Sequence, residues 1–181
     1  MTQMTQIMKV LTVLTTLAGA SPANADVIRA APGGVSVRTT VEVAANPEAV
    51  YDALTARVGE WWGAASTWSG NPRNLSIDAR AGGCFCETLS SGGSVQHMQV
   101  VWAERGNLLR LSGAPGRLQE LAVIGTLSWQ LTKTVAGTRI EMTFSAAGYL
   151  PTGFDQAAKA VDEAWASQVR NLERYMAASK R

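Results

Sequence analysis

TGFDQAAKAVDEAWASQVRNLERYMAAS, residues 152–179, decides the fold. Its apolar side chains stand at Val161, Trp165, Val169, Leu172 and Met176, in steps of four, four, three and four, which lays one stripe along a helix. Lys159, Glu163, Arg170, Glu173 and Arg174 fall on the other side. A helix divided in this way has to bury one face against something the rest of the chain supplies. Its start is marked by Pro151, and by Thr152 with Asp155 three residues on, the pattern of a capping box. The spacing therefore predicts a long terminal helix laid across a sheet.

The preceding chain supplies that sheet. Residues 35–43 alternate apolar and polar with the valines to one side, as a half-buried strand does. Asn46-Pro47-Glu48 then reads as a helix start, with a cap residue, Pro at the first position and an acid in the first turn. Val50, Leu54, Val58, Trp61 and Trp62 continue at helical spacing, so a first helix is expected over 47–61. Residues 63–74 form a Ser-, Gly- and Asn-rich loop carrying Trp68, which either covers a site or pins the loop. Strands follow over 75–80, 83–89, 95–104, 108–112, 125–134 and 138–146, separated by turn signals. In the last two, Leu127, Trp129 and Leu131, then Ile140, Met142 and Phe144, alternate with polar partners. Short connections require antiparallel pairing, and strands apolar on one face need a cover. The expected class is α+β: a curved antiparallel sheet of six to seven strands around the terminal helix, with a short helix after the first strand.

The N-terminal 25 residues read differently. Lys9 precedes the apolar run 10–20, and Ala23-Asn24-Ala25 places small residues where a signal peptidase reads them. The run is too short to span a bilayer, which needs about 20 apolar residues. Residues 1–25 are expected to be a cleaved signal peptide, 26–34 a lead-in, and 35–179 the folded domain. The mature protein would then be periplasmic or secreted. Removing 25 residues from 181 leaves 156, enough for one core, and takes only Lys9 from the charge, which falls from +2 to +1. A near-neutral chain offers no electrostatic case for nucleic acid or an anionic membrane. Six Trp residues call for a large interior or an apolar pocket.

Three stretches resemble a known superfamily. Asn46-Pro47-Glu48-Ala49-Val50-Tyr51-Asp52-Ala53-Leu54 opens the first helix, Trp61-Trp62 closes it, and Gly82-Gly83-Cys84-Phe85-Cys86-Glu87 looks like a Gly-Gly-x-aromatic-x-Glu strand opening. In that order, over about 35–178, they resemble the START-like (SRPBCC) superfamily of helix-grip proteins. The similarity is to the branch of the activator of heat-shock-protein ATPase, and to polyketide cyclases. The resemblance implies a sheet wrapped around the terminal helix with a cavity between them. Members mostly bind apolar small molecules or lipids, while some are cyclases and others bind proteins. It implies no common catalytic set.

Candidate chemistry centres on the strands around residue 90. A turn centred on Ser91-Gly92 would pair Cys86 with His97 and Cys84 with Gln99, putting Cys84, Cys86 and His97 on one face as possible zinc or copper ligands. No fourth ligand is visible, and no metal is assigned. A Cys84–Cys86 disulfide is disfavoured, because a straight strand holds the two Cα atoms near the limit of bridgeable distance. The alternative is two small, buried, apolar side chains. On the opposite face Phe85, Glu87, Met98, Val100 and Trp102 are expected to look inward. Glu87 is then a carboxylate in an apolar wall, with a tendency to a raised pKa, or else a strand-end residue paired or exposed. Trp62, Trp129 and Phe144 are expected to line a ligand cavity, with Val161 and Trp165 facing them from the helix and Tyr149 beside them. Gly82-Gly83 lacks the lysine and helix start of a phosphate loop, and no cofactor is assigned.

These readings converge on an exported binder of an apolar, aromatic or lipid molecule, with Glu87 or Tyr149 setting orientation. Two rivals remain open. One is a cyclase or dehydrase using Glu87 as acid or base; the other is a protein-interaction module.

Overall fold

Alternation with a period of two turns Val35, Val37, Val41 and Val43 to the same side of β2 (Gly34–Val43), where all four are buried. The same rule buries Leu127, Trp129 and Leu131 on β7 (Val123–Lys133), and Ile140, Met142 and Phe144 on β8 (Thr138–Gly148). A computed structural model describes residues 24–179 of the protein. The expected signal segment lies outside the described residues, apart from Asn24 and Ala25.

The remaining strands are β1 (Asn24–Ala31), β3 (Leu75–Ile77), β4 (Cys84–Thr88), β5 (Ser94–Glu104) and β6 (Leu108–Gly113). All eight form one antiparallel sheet in the order β1-β2-β8-β7-β6-β5-β4-β3. The eighth strand corrects the expected lead-in at 26–34. Its residues pair along β2 from Asn24 opposite Thr40 to Ala31 opposite Gly34, extending the sheet at one edge. The expected strand over 75–80 stops at Ile77, where Asp78 to Arg80 turn and close hydrogen bonds to Cys84 and Asp78 carbonyls.

The first helix breaks in two, α1 (Pro47–Thr55) and α2 (Val58–Trp61). Asn46 caps α1 by accepting from the Ala49 N–H, as its position before Pro47 implied. The break at Ala56 and Arg57 lets Trp61 turn back, so that its indole Nε1 donates to the Ala53 carbonyl at 2.8 Å. The terminal helix α3 runs Phe154–Ala178 and buries Phe154, Ala158, Trp165, Val169, Leu172 and Met176 against β1, β2 and the short helices. This is the helix-grip arrangement.

The capping box does not form. Gly153 occupies the cap with φ of 77°, and no side chain caps the helix. The Phe154 N–H donates to the Pro32 carbonyl in the β1–β2 turn. Asp155 Oδ1 lies where a side chain on residue 153 would go, 2.5 Å from an ideal Cβ there. Among the described residues no helix is long and apolar enough to cross a membrane.

Candidate functional site

The inner face of the sheet is filled for most of its area. Trp129 is packed against Trp61 with ring centroids 6.1 Å apart, and Leu109, Leu111, Met142 and Ile140 complete the layer. The filling stops towards the N-terminal half of α3. There the helix presents Ala157, Ala160 and Ala164 beside Val161 and Trp165, and such small side chains leave space uncovered. A cleft of about 650 Å³ results, within the usual range for small-molecule sites. The walls are α3, the loop that follows Trp62, the 3-10 turn Gly116–Glu120 with Pro115 before it, and a single sheet residue, Phe144. Phe144 pairs with Leu127, and its ring lies over Gly125, the diagonal neighbour on β7, where a Cβ would stand 2.8 Å from it.

Of the ten residues expected to bind ligand, Trp62, Phe144, Val161 and Trp165 line this cleft. Phe144 stacks on Trp165 at 4.9 Å, and Trp165 meets Trp62 edge-on at 6.1 Å. Phe85, Met98 and Trp129 are buried core and do not reach the cleft. Tyr149 is 67% exposed, beyond the end of β8. Trp102 is also exposed, at 49%, and its Nε1 donates to Glu104. The reason lies in the register. Val100 pairs with Leu111 and Trp102 with Arg110, so Val101 is an extra residue, and the bulge turns both Val101 and Trp102 outward.

A second bulge reorganises the candidate metal cluster. Cys84 pairs with Gln99 as expected, but Cys86 pairs with Gln96, while Phe85 pairs with Met98. His97 is therefore inserted between two paired positions and faces inward, only 3% exposed. The cysteines stay on the outer face and form a Cys84–Cys86 disulfide, correcting the expectation of free thiols. A straight strand would separate their Cα atoms by roughly 6.7 Å. Here the separation is 5.4 Å, within bridging distance, at the place where the register against β5 shifts by one residue. The three candidate ligands thus lie on opposite faces, and the two sulfurs are joined to each other.

The inward turn brings His97 to Glu87. Glu87 does look inward and is buried, but it does not stand free in an apolar wall. His97 Nε2 bonds Glu87 Oε2 at 2.9 Å, the Trp68 N–H donates to Oε2 at 3.0 Å, and the Ser69 N–H donates to Oε1 at 2.5 Å. A carboxylate only accepts, so Nε2 carries the shared proton. Burial pushes the Glu87 carboxyl up, yet the donors from Ser69, Trp68 and His97 outweigh it and hold the group below the ordinary value of 4.5. The expected raised pKa is thereby reversed. Glu87 is not among the residues lining the cleft; it is the anchor that ties down the loop carrying Trp68.

That loop has a second tie. Gln168, buried on α3, accepts from the Gly63 N–H and donates to Ser66 Oγ, both at 2.9 Å. The facing turn is fixed by Gln119, whose amide donates to the Gln96 carbonyl at 2.8 Å. The two rims meet where the Arg117 guanidinium lies 5.7 Å above the Trp68 ring. Sequence reasoning missed Gln168, Arg117 and the alanines of α3. A polar residue among apolar ones and a row of Ala on a helix carry no periodic signal of a recess.

Fold and cleft together define a START-like helix-grip protein, with a recess between the terminal helix and two rim loops. A model of the polyketide cyclase / dehydrase and lipid transport family matches residues 34–177, and the chain belongs to that family. No curated protein matches in sequence. Among solved structures, protein MLL2253 from Mesorhizobium loti is 20% identical with a TM-score of 0.53, covering 77% of this chain and 94% of its own. A protein from Rhodobacter sphaeroides is 20% identical with a TM-score of 0.53, covering 86% and 99%. CalU16 from Micromonospora echinospora is 16% identical with a TM-score of 0.53, covering 86% and 85%. At these identities the likeness is one of fold.

Proposed function

We propose that the protein is an exported carrier of an apolar, aromatic or lipid molecule, held without covalent chemistry in the cleft beside α3. The observation that carries this reading is the lining itself. Trp62, Trp68, Phe144, Val161 and Trp165 offer apolar surface, while the amide of Gln168 is engaged by Gly63 and Ser66. Transfer of ligand surface from water to such walls is favourable by about 25 cal/mol per Å². A cyclase or dehydrase needs an acid or base turned to its substrate. Glu87 is spent on His97 and the loop amides, which favours binding over catalysis. Export is supported by the charge, apolar run and small-residue site within 1–25, and by the Cys84–Cys86 disulfide, which suits an oxidising compartment.

The test is native mass spectrometry of the protein purified from its own host, followed by mild denaturation to release bound material. A stoichiometric apolar compound is the expected result. An empty protein that also gains no thermal stability from fatty acids, lipids or aromatic compounds would overturn the carrier reading.

A further inference from the structure

We propose that the cleft takes an amphipathic anion, a molecule whose apolar body lies against α3 and whose carboxylate, or other anionic end, meets Arg117 at the rim. The inference rests on the reading of the cleft as a binding site and names the class of ligand. Among the described residues that line it, Arg117 alone carries a charge. Its guanidinium is poised rather than consumed: it lies above the Trp68 ring and pairs only loosely with Glu120, at 3.9 Å. The backbone beneath it is anchored, since Gln119 two residues on is bonded to the Gln96 carbonyl. Position matters as much as charge. Arg117 is well exposed at the mouth, so an anionic end placed there keeps its water while the apolar part is buried, and no charge has to enter the recess. The guanidinium fork suits a carboxylate, and the same chemistry would come from a fatty acid or an aromatic acid.

The experiment compares dodecanoate with 1-dodecanol at pH 8, each displacing the neutral fluorescent probe N-phenyl-1-naphthylamine. The full-length mature protein, Arg117→Met and Arg117→Lys are measured side by side. Dodecanoate is expected to show an advantage over dodecanol that shrinks by about 2- to 5-fold in Arg117→Met, the range of an exposed charge pair, read as the ratio of the two affinities within each variant. Arg117→Lys should keep most of the advantage, and added salt should reduce it in the wild type. Dodecanoate and dodecanol changing in parallel in Arg117→Met would overturn the assignment to Arg117 and leave the carrier reading standing. Failure of the probe and of both ligands to bind would overturn the carrier reading itself, and the inference with it.

Discussion

Two hairpins of one sheet behave differently. β7 and β8 pair without a break from Val123 opposite Gly148 to Lys133 opposite Thr138, and every apolar residue lands on the face that alternation assigns it. β4 and β5 pair with one extra residue, and β5 carries another against β6. The side chains of this region that contradict simple alternation, His97 and Trp102, lie at those bulges. A bulge reverses the phase of all that follows until a second one restores it. Regular pairing builds the core of this protein, whereas irregular pairing builds the Glu87–His97 anchor that fixes the rim of the cleft.

The sharpest way to break the contrast is a pair of tryptophan truncations. Trp129→Ala in the regular hairpin should cost about 3–5 kcal/mol in chemical denaturation, since a buried ring is lost and a cavity remains. Trp102→Ala, a residue that alternation alone would have buried, should change stability by no more than about 0.5 kcal/mol. Comparable losses at the two positions would mean that the bulge at Val101 is misassigned.

Next in size is the anchor. Glu87→Gln replaces an acceptor of three bonds by a group that presents an amide to N–H donors, and should cost about 1.5–3 kcal/mol. It should also loosen the loop over 63–69, seen as faster amide exchange at Trp68 and Ser69. The pH profile separates charge from packing. Because the folded Glu87 holds its proton less tightly than the unfolded chain, its stabilisation is present above the ordinary value of 4.5 and is lost as pH falls through the lower folded value. The wild type should therefore lose stability on acidification more steeply than Glu87→Gln; identical slopes would remove the charged anchor.

Smaller again is the disulfide. A ring closed over three residues constrains the unfolded chain little, so the double replacement Cys84→Ser with Cys86→Ser should cost about 1–2 kcal/mol in a denaturant titration. Thiol titration of the wild type without reductant should find no free thiol, and two after reduction. A free-thiol count of two before reduction would remove the bridge and, with it, one support for export.

The differences in legibility follow from the range of the forces involved. Periodicity marked α3, most strands and the inward face of Glu87, because burial of one face acts on every second or every third to fourth residue. It also marked Trp62, Val161 and Trp165 as inward residues, but the cleft that they line lies between α3 and two rim loops rather than between α3 and the sheet, whose inner face is filled by side chains. β1 was missed because 26–34 alternates poorly and gains its strand form only by pairing with β2. The raised pKa expected for Glu87 was wrong for a related reason: Trp68 and Ser69 lie 19 and 18 residues away, and no local pattern shows that their amides converge on it.

Sequence alone determined the antiparallel sheet, the terminal helix across it and the side of each regular strand that is buried, since those depend on spacing within one element. Only the tertiary structure decided where the sheet loses register, which paired Cys84 with Cys86, turned His97 inward and Trp102 outward, and committed Glu87 to a loop. Insertion of one residue into one of two paired strands depends on what both chains can bury and bond at the same place, a balance that neither strand carries by itself. The cleft has the same origin, for it is the space left where Ala157, Ala160 and Ala164 of α3 meet two rim loops held by distant partners.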